Sequence, residues 1–343
     1  MRDEMNTKTK TDLIRFCCSF VLLFLLSPQP SALIPGAAAF AADYPSRPIR
    51  MIVPYPPGGS TDPTGRAFAA WLSEAFGQQV VVDNRPGAGA TIGHGLGAKA
   101  TPDGYTILLG TSGGLATSPA LGAKLPYDPV RDFAPIGLAV YTPFLLAVHP
   151  GLPAANLKEF IALGKVPPAR INFASPGVGT PNHLGAELLK SMAGFQFVHV
   201  PYKGGAPAMV DLLAGRAQAI FGGIPYIGPH AKAGKLRAIA IGHATRVASW
   251  PDTPAVAETL PGFTNTTWFG LLAPAGTPRV VVDRINAEMK KAVANAEFVK
   301  QLDAIGLLPA SSTPEEFRAM IKTELARWTK VIRQAGITVD TAQ

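Results

Sequence analysis

Two stretches of this chain are built alike: a short apolar strand runs into a loop of Gly, Pro, Ser and Thr, and the loop opens into a helix with proline in its first turn. They are Pro56 to Pro63, after the strand Ile49 to Tyr55, and Ser175 to Pro181, after the strand Ile171 to Ala174. A strand that feeds a helix and then another strand is a βαβ unit, so the repeat predicts an α/β fold of parallel strands with crossover helices. The same alternation surrounds each loop. Around the first, a helix is expected from an N-cap at Asp62 to Phe76, then a strand at Val80 to Val82, a glycine-rich helical stretch, and a strand Tyr105 to Leu109 ending at Thr111-Ser112-Gly113-Gly114. Around the second, strands are expected at Phe195 to Val200, Ala219 to Phe221 and Leu236 to Ile241, with helices from Pro181 and about Pro207.

A chain of 343 residues exceeds what one hydrophobic core usually organises. The apolar stretches Ile136 to Val148 and Thr266 to Ala273 flank the second unit and are expected to be two chain crossings, hence a hinge. This places domain 1 at 42–142 together with 267–343, and domain 2 at 143–266. The C-terminal part reads as helical: Val280 to Ala294 has apolar residues at helical spacing, and Thr313-Pro314-Glu315-Glu316 forms a capping box for a last helix ending at Ala335-Gly336.

The first forty-one residues read as a signal peptide. Lys8, Lys10 and Arg15 precede the apolar run Phe16 to Leu26, too short to span a bilayer, and Ala39-Phe40-Ala41 offers a small-x-small site with cleavage after Ala41. The only cysteines, Cys17 and Cys18, fall inside it, so the exported chain carries no disulfide. The formal charge is +8, and the four basic and three acidic residues of the leader leave about +7 on the rest. These charges are scattered, without the clustered Lys and Arg of a nucleic-acid surface, and suit a mild field that attracts anions.

The two loops offer backbone N–H groups, the positive end of a helix dipole and glycines that admit an anion to the backbone. The candidate binding residues are Pro57, Gly58, Gly59, Ser60, Thr61 and Asp62 in the first loop and Ser175, Gly177, Gly179 and Thr180 in the second, with His183 one turn on. Thr111 and Ser112 end a third strand that would face the same cleft. Neither loop contains Lys or Arg, so a carboxylate would be held by amides and hydroxyls. The bland alternative is that these are ordinary βα turns, with Asp62 capping Thr64 or Gly65 and His183 capping or packing. Gly87-Ala88-Gly89-Ala90-Thr91-Ile92-Gly93 departs from a dinucleotide fingerprint, its third glycine one position late. No Gly-x-Ser-x-Gly occurs, Ser112 and Ser175 lack any His placed nearby with a carboxylate, and the six histidines lack metal-ligand spacing. No catalytic residue, metal or cofactor is expected.

The chain resembles the substrate-binding component of tripartite tricarboxylate transporters, the Bug or TctC-like family. The elements that carry the likeness are Tyr44-Pro45-Ser46-Arg47-Pro48-Ile49, Val53 to Gly59 with Asp62, Asn84-Arg85-Pro86-Gly87-Ala88-Gly89 and Pro102-Asp103-Gly104-Tyr105. They continue with Ser175 to Thr180 with His183-Leu184, His199-Val200-Pro201-Tyr202-Lys203-Gly204, Lys232 to Arg237 and Ala273 to Pro278. The resemblance implies a periplasmic binding protein-like α/β fold, two domains joined by a hinge with the ligand cleft between them. It also implies a monomer in the periplasm, no enzymatic activity, no nucleic-acid partner, and delivery of a di- or tricarboxylate or aromatic acid to a two-component membrane permease. Its ligand loops correspond to Pro57 to Asp62 and Ser175 to Thr180. Where many members have an acidic residue, this chain has Gln218; pointing into the cleft, it would disfavour an amino-group ligand. An exported hydrolase or a ligand sensor using the same cleft are the rival readings.

Overall fold

A computed structural model describes residues 44–168, 171–334 and 337. The expected signal peptide and its cleavage site, and the end of the last helix at 335–336, lie outside the described residues.

The first half of the chain forms β1 (Ile49–Val53), α1 (Thr61–Phe76), β2 (Val80–Asn84), α2 (Thr91–Ala98), β3 (Thr106–Thr111) and the long β4 (Phe133–Val148). It continues through α3 (Leu157–Gly164), β5 (Asn172–Ser175), α4 (Pro181–Ala193), β6 (Val198–Pro201), α5 (Gly205–Leu213), β7 (Ala219–Gly223), α6 (Ile224–Lys232) and β8 (Arg237–Ile241). The chain then returns as β9 (Thr266–Pro274), α7 (Arg279–Ala294), α8 (Ala296–Ala304), β10 (Leu308–Pro309) and α9 (Pro314–Gln334). The Thr313–Glu316 capping box is formed: the Thr313 N–H donates to Glu316 Oε2 at 2.8 Å and the Glu316 N–H to Thr313 Oγ1 at 3.1 Å.

The strands run in the order β2-β1-β3-β9-β4-β7-β5-β6, with β8 and β10 also on β4. Both ends of the order are parallel, as the βαβ pattern predicts: β1 with β2 and β3, and β5 with β6 and β7. The middle is antiparallel, which the alternation of strands and helices does not announce. β4 supplies the join. Residues up to Pro143 pair with β9, and from Phe144 onward the strand pairs with β7 and β8. The chain returns beside this point, where the Asn265 N–H donates to Gly242 O at 2.6 Å and the Gly242 N–H to Phe144 O at 2.7 Å.

Strands buried on both faces alternate their side chains between two cores. In β1, Met51 and Val53 enter the core beneath α1 and α7, whereas Ile52 enters the one beneath α9. Beyond the join, Phe144, Leu146 and Val148 of β4 face one core and Leu145 and Ala147 the other. Helices therefore cover both faces of each part, and the loops at the strand ends are left to meet each other. No described helix is long and apolar enough to cross a membrane.

Candidate functional site

The starts of four helices converge beside the join. Ser60 and Thr61 at the head of α1, Pro181 and Asn182 at the head of α4, Gly205 of α5 and Gly223 before α6 all line one cavity of about 50 Å³. Thr111, Thr267, Tyr55 and Tyr226 complete its polar wall, and no Asp, Glu, Lys, Arg or His lines it. Side chains cap neither α1, α5 nor α6, so first-turn N–H groups there depend on partners other than the helix itself. Four positive helix ends around a space that contains no ionised group favour a negative one.

The opposing walls touch. Thr117 Oγ1 donates to Gly179 O at 2.7 Å. A side chain at Gly223 would place its Cβ 2.2 Å from Ser60 Oγ, and one at Gly204 would lie 2.5 Å from Pro56 Cγ. Gly223 has φ −59°, so it is close approach rather than backbone freedom that requires glycine here.

Of the residues singled out in the sequence, Gly59, Ser60, Thr61 and Thr111 line this cavity, and Gly177 and Gly179 line a larger one outside it. Pro57 and Gly58 line neither, although Gly58 approaches Ala206 of the opposing wall: a Cβ at Gly58 would lie 3.7 Å from that of Ala206. Ser112 is buried behind the wall, and its Oγ lies 2.6 Å from Thr267 Oγ1, which it holds toward the cavity.

Three expectations are corrected. Asp62 is not an N-cap: the helix begins at Thr61 with Ser60 before it, so Pro63 falls inside the first turn, where a missing N–H costs nothing. The Asp62 carboxylate instead accepts from Arg66 Nε and Asn84 Nδ2, each at 3.0 Å, which offsets the charge that would repel an anion. Asn84 also donates to Tyr55 O at 2.9 Å, fixing the strand end to the helix. Gln218 does not reach the cleft: it precedes β7, whose far end supplies Gly223. Its amide is spent on backbone, accepting from the Asn172 N–H and donating to Gly215 O, each at 2.9 Å. Ser175 does have a histidine partner, since the parallel pairing of β5 with β6 brings His199 Nε2 to 2.6 Å from its Oγ.

The hydroxyls of the second loop shape the loop itself. Thr180 caps α4, accepting from the His183 N–H, while donating to Gly177 O at 2.7 Å. Ser175 Oγ donates to Gly177 O at 3.1 Å and accepts from its N–H at 3.2 Å. His183 is buried, accepts the Gly179 N–H on Nδ1 at 3.3 Å, and stacks on His199 with ring centroids 3.8 Å apart. Burial, then the neighbouring His199 and Lys190, push the His183 pKa down to about 3, and burial takes His199 to about 4. Both rings are therefore neutral at pH 7 and act as props for the loop.

A third prop was not legible. His94 is fully buried, donates from Nδ1 to Ala90 O at 2.9 Å and accepts the Thr111 N–H on Nε2 at 3.2 Å, so it ties the glycine-rich stretch to the cavity wall. Burial lowers its pKa to about 4. Thr267, Gly205, Gly223 and Tyr226 also escaped the sequence reading, because each enters the site from an element distant from the two loops, and Asn182 escaped it although it lies between Thr180 and His183. Among the described residues no group of three or more His, Cys, Asp or Glu could hold a metal.

An α/β fold of two parts with an uncharged, dipole-lined cavity at their meeting point defines a periplasmic binding protein-like solute receptor. The family model described as "Tripartite tricarboxylate transporter family receptor" (TctC) matches residues 65–337. The chain belongs to this family. It is 39% identical to Protein BugT of Bordetella pertussis over 88% of this chain and 93% of that protein. Among solved structures it is similar to Rpa4515 of R. palustris with adipate, at TM-score 0.84 and 35% identity over 86% of this chain and 99% of that one. It is likewise similar to MatC of Rhodopseudomonas palustris with bound malate, at TM-score 0.79 and 31% identity over 84% of this chain and 100% of that one. The periplasmic binding protein BugD matches at TM-score 0.82 and 34% identity, over 86% of this chain and 99% of that one. The family consists of solute-binding receptors.

Proposed function

We propose that this chain is an exported periplasmic receptor that closes two domains, 42–142 with 267–343 and 143–266, on the carboxylate of a small organic acid and presents it to a two-component permease. The observation that carries the reading is the 50 Å³ cavity at four helix starts, whose walls combine hydroxyls and a side-chain amide with the apolar Phe144 and Phe269 and hold no ionised side chain. The change of β4 partners at Pro143/Phe144 and the return of the chain at Asn265 support the hinge. The head group is held by amides and hydroxyls of Gly59, Ser60, Thr61, Thr111, Asn182 and Thr267, while Ser175, Thr180 and His183 hold the second loop in shape. Adipate and malate, bound by similar proteins, are natural first probes for this chain.

The Ser175–His199 contact favours a hydrolase as the second reading. Against it, Ser175 is fully buried, lines neither cavity and already bonds both backbone groups of Gly177. A thermal-shift screen over a carboxylate panel, run beside a test of ester turnover, separates them. Stabilisation without turnover supports a receptor, and turnover lost in Ser175→Ala supports the hydrolase.

A further inference from the structure

The inner cavity of about 50 Å³ has room for about one or two water-sized groups, enough for a carboxyl head and little else. A second cavity of about 720 Å³ lies against it, sharing Tyr55 and Pro176 as the dividing wall, and its volume is within the usual range for small-molecule sites. The outer chamber differs in chemistry. Its walls include Leu121, Leu125 and Val178, two lysines, Lys124 and Lys203, and no acidic residue. Neither lysine is in an ion pair among the described residues. Its floor is the segment Gly87 to Ala90, where Ala88 at φ 46° and Ala90 at φ 85° hold left-handed conformations that alanine adopts at a cost. Such strain persists where surrounding structure enforces it, here through His94 on Ala90 O and the contact with the opposing loop, where a Cβ at Gly89 would meet Val178 O at 3.1 Å.

Resting on the receptor reading above, we infer that the outer chamber is a second subsite, taking the body and a distal anionic group of an extended acid whose first carboxylate occupies the inner cavity. Tyr55 stands between the chambers, its hydroxyl 3.5 Å from Gly89 O, and selects for ligands slim enough to pass it. Lys203 and Lys124 pair with the distal charge. A short acid seats one carboxylate in the inner cavity, and its other end falls short of both lysines.

Titration calorimetry on the full chain with malonate, succinate, adipate and suberate, and with hexanoate as a match lacking the distal charge, tests this. In the parent, adipate or suberate should bind roughly tenfold more tightly than hexanoate, a charge-assisted contact's worth, and the advantage should shrink at high salt. Lys203→Gln with Lys124→Gln should abolish that advantage and leave succinate affinity unchanged. Equal binding of the full series by parent and double variant overturns the second subsite while leaving the receptor reading intact. Absence of binding by any of the five acids overturns both. Because both lysines are exposed, loss of fold is not an expected outcome, and an unchanged melting temperature confirms it.

Discussion

Gly223→Ala probes closure through the ligand-dependent part of its effect. Gly223 has φ −59° and ψ 147°, which alanine adopts freely, so the backbone presents no obstacle. The added methyl would lie 2.2 Å from Ser60 Oγ, 3.0 Å from Ser60 Cβ and 2.8 Å from the Thr142 methyl. Ser60 can turn its hydroxyl away, but its Cβ and the Thr142 methyl remain. Overpacking of this kind costs about 1–3 kcal/mol. If Ser60 meets Gly223 only when the domains close, the Ser60 share of the cost falls on the closed form alone, whereas the Thr142 contact, beside the Phe144–Gly223 pairing of β4 with β7, weighs on both forms. Affinity for succinate, malate or adipate, whichever the parent binds best, should then drop by roughly five- to 150-fold. The melting temperature without ligand should fall only by the Thr142 share, and the ligand-induced rise should shrink in addition. Calorimetry and thermal unfolding read the two effects separately. Parental affinity would refute the closure contact, and an equal destabilisation with and without ligand would show that the two residues meet in the open form as well.

Further outcomes follow from the same contacts. A Cβ at Gly59 meets nothing within 4 Å while the residue lines the inner cavity, so Gly59→Val should keep stability within about 0.5 kcal/mol yet reduce carboxylate affinity at least tenfold, read by unfolding and calorimetry. Thr180→Ala removes a cap and a loop bond rather than a ligand contact; it should cost about 1–2 kcal/mol in denaturant unfolding, with a smaller fractional loss of affinity. His94 and His183 stay neutral in the folded chain down to about pH 4 and 3, whereas the unfolded chain protonates them below about 6.5. The unfolded state therefore binds more protons, and each histidine removes stability at up to about 1.4 kcal/mol per pH unit as pH falls from 6.5 toward its folded pKa. Urea titrations at pH 7, 5.5 and 4.5 should show this decline, and His94→Gln should flatten it; an unchanged slope would mean the ring is not the buried neutral group described. Scattering profiles should give a smaller radius with saturating ligand than without, and identical radii with binding confirmed would count against the hinge.

What the sequence made legible was local. Strands buried on two faces, such as β1 and β3, announce themselves as short apolar runs ended by Pro and Gly, and the Thr180-Pro181 start of α4 is readable because cap and proline are adjacent. Asp62 misled for the same reason: it also precedes a proline, but Asn84 and Arg66 offer its carboxylate stronger partners than the helix end does. The antiparallel centre was hidden because β4 and β9 choose each other across more than a hundred residues. The Ser175–His199 contact was hidden because it follows from strand register, and the convergence of α5 and α6 on the cavity because it follows from sheet order. The glycines were read as anion-binding devices. Gly204 and Gly223, not among those candidate residues, have a different duty, letting opposing walls meet without a side chain between them.

A crystal structure of the chain with its tightest acid from the carboxylate panel decides whether a carboxylate head sits in the uncharged cavity where the four helix starts converge. The carboxylate should be intact and within hydrogen-bond reach of the Ser60–Thr61 backbone and of Thr111, Asn182 or Thr267, with no Lys, Arg or metal touching the inner oxygens. A carboxylate clamped by a basic side chain elsewhere on the chain, or acyl density on Ser175 Oγ, would contradict it.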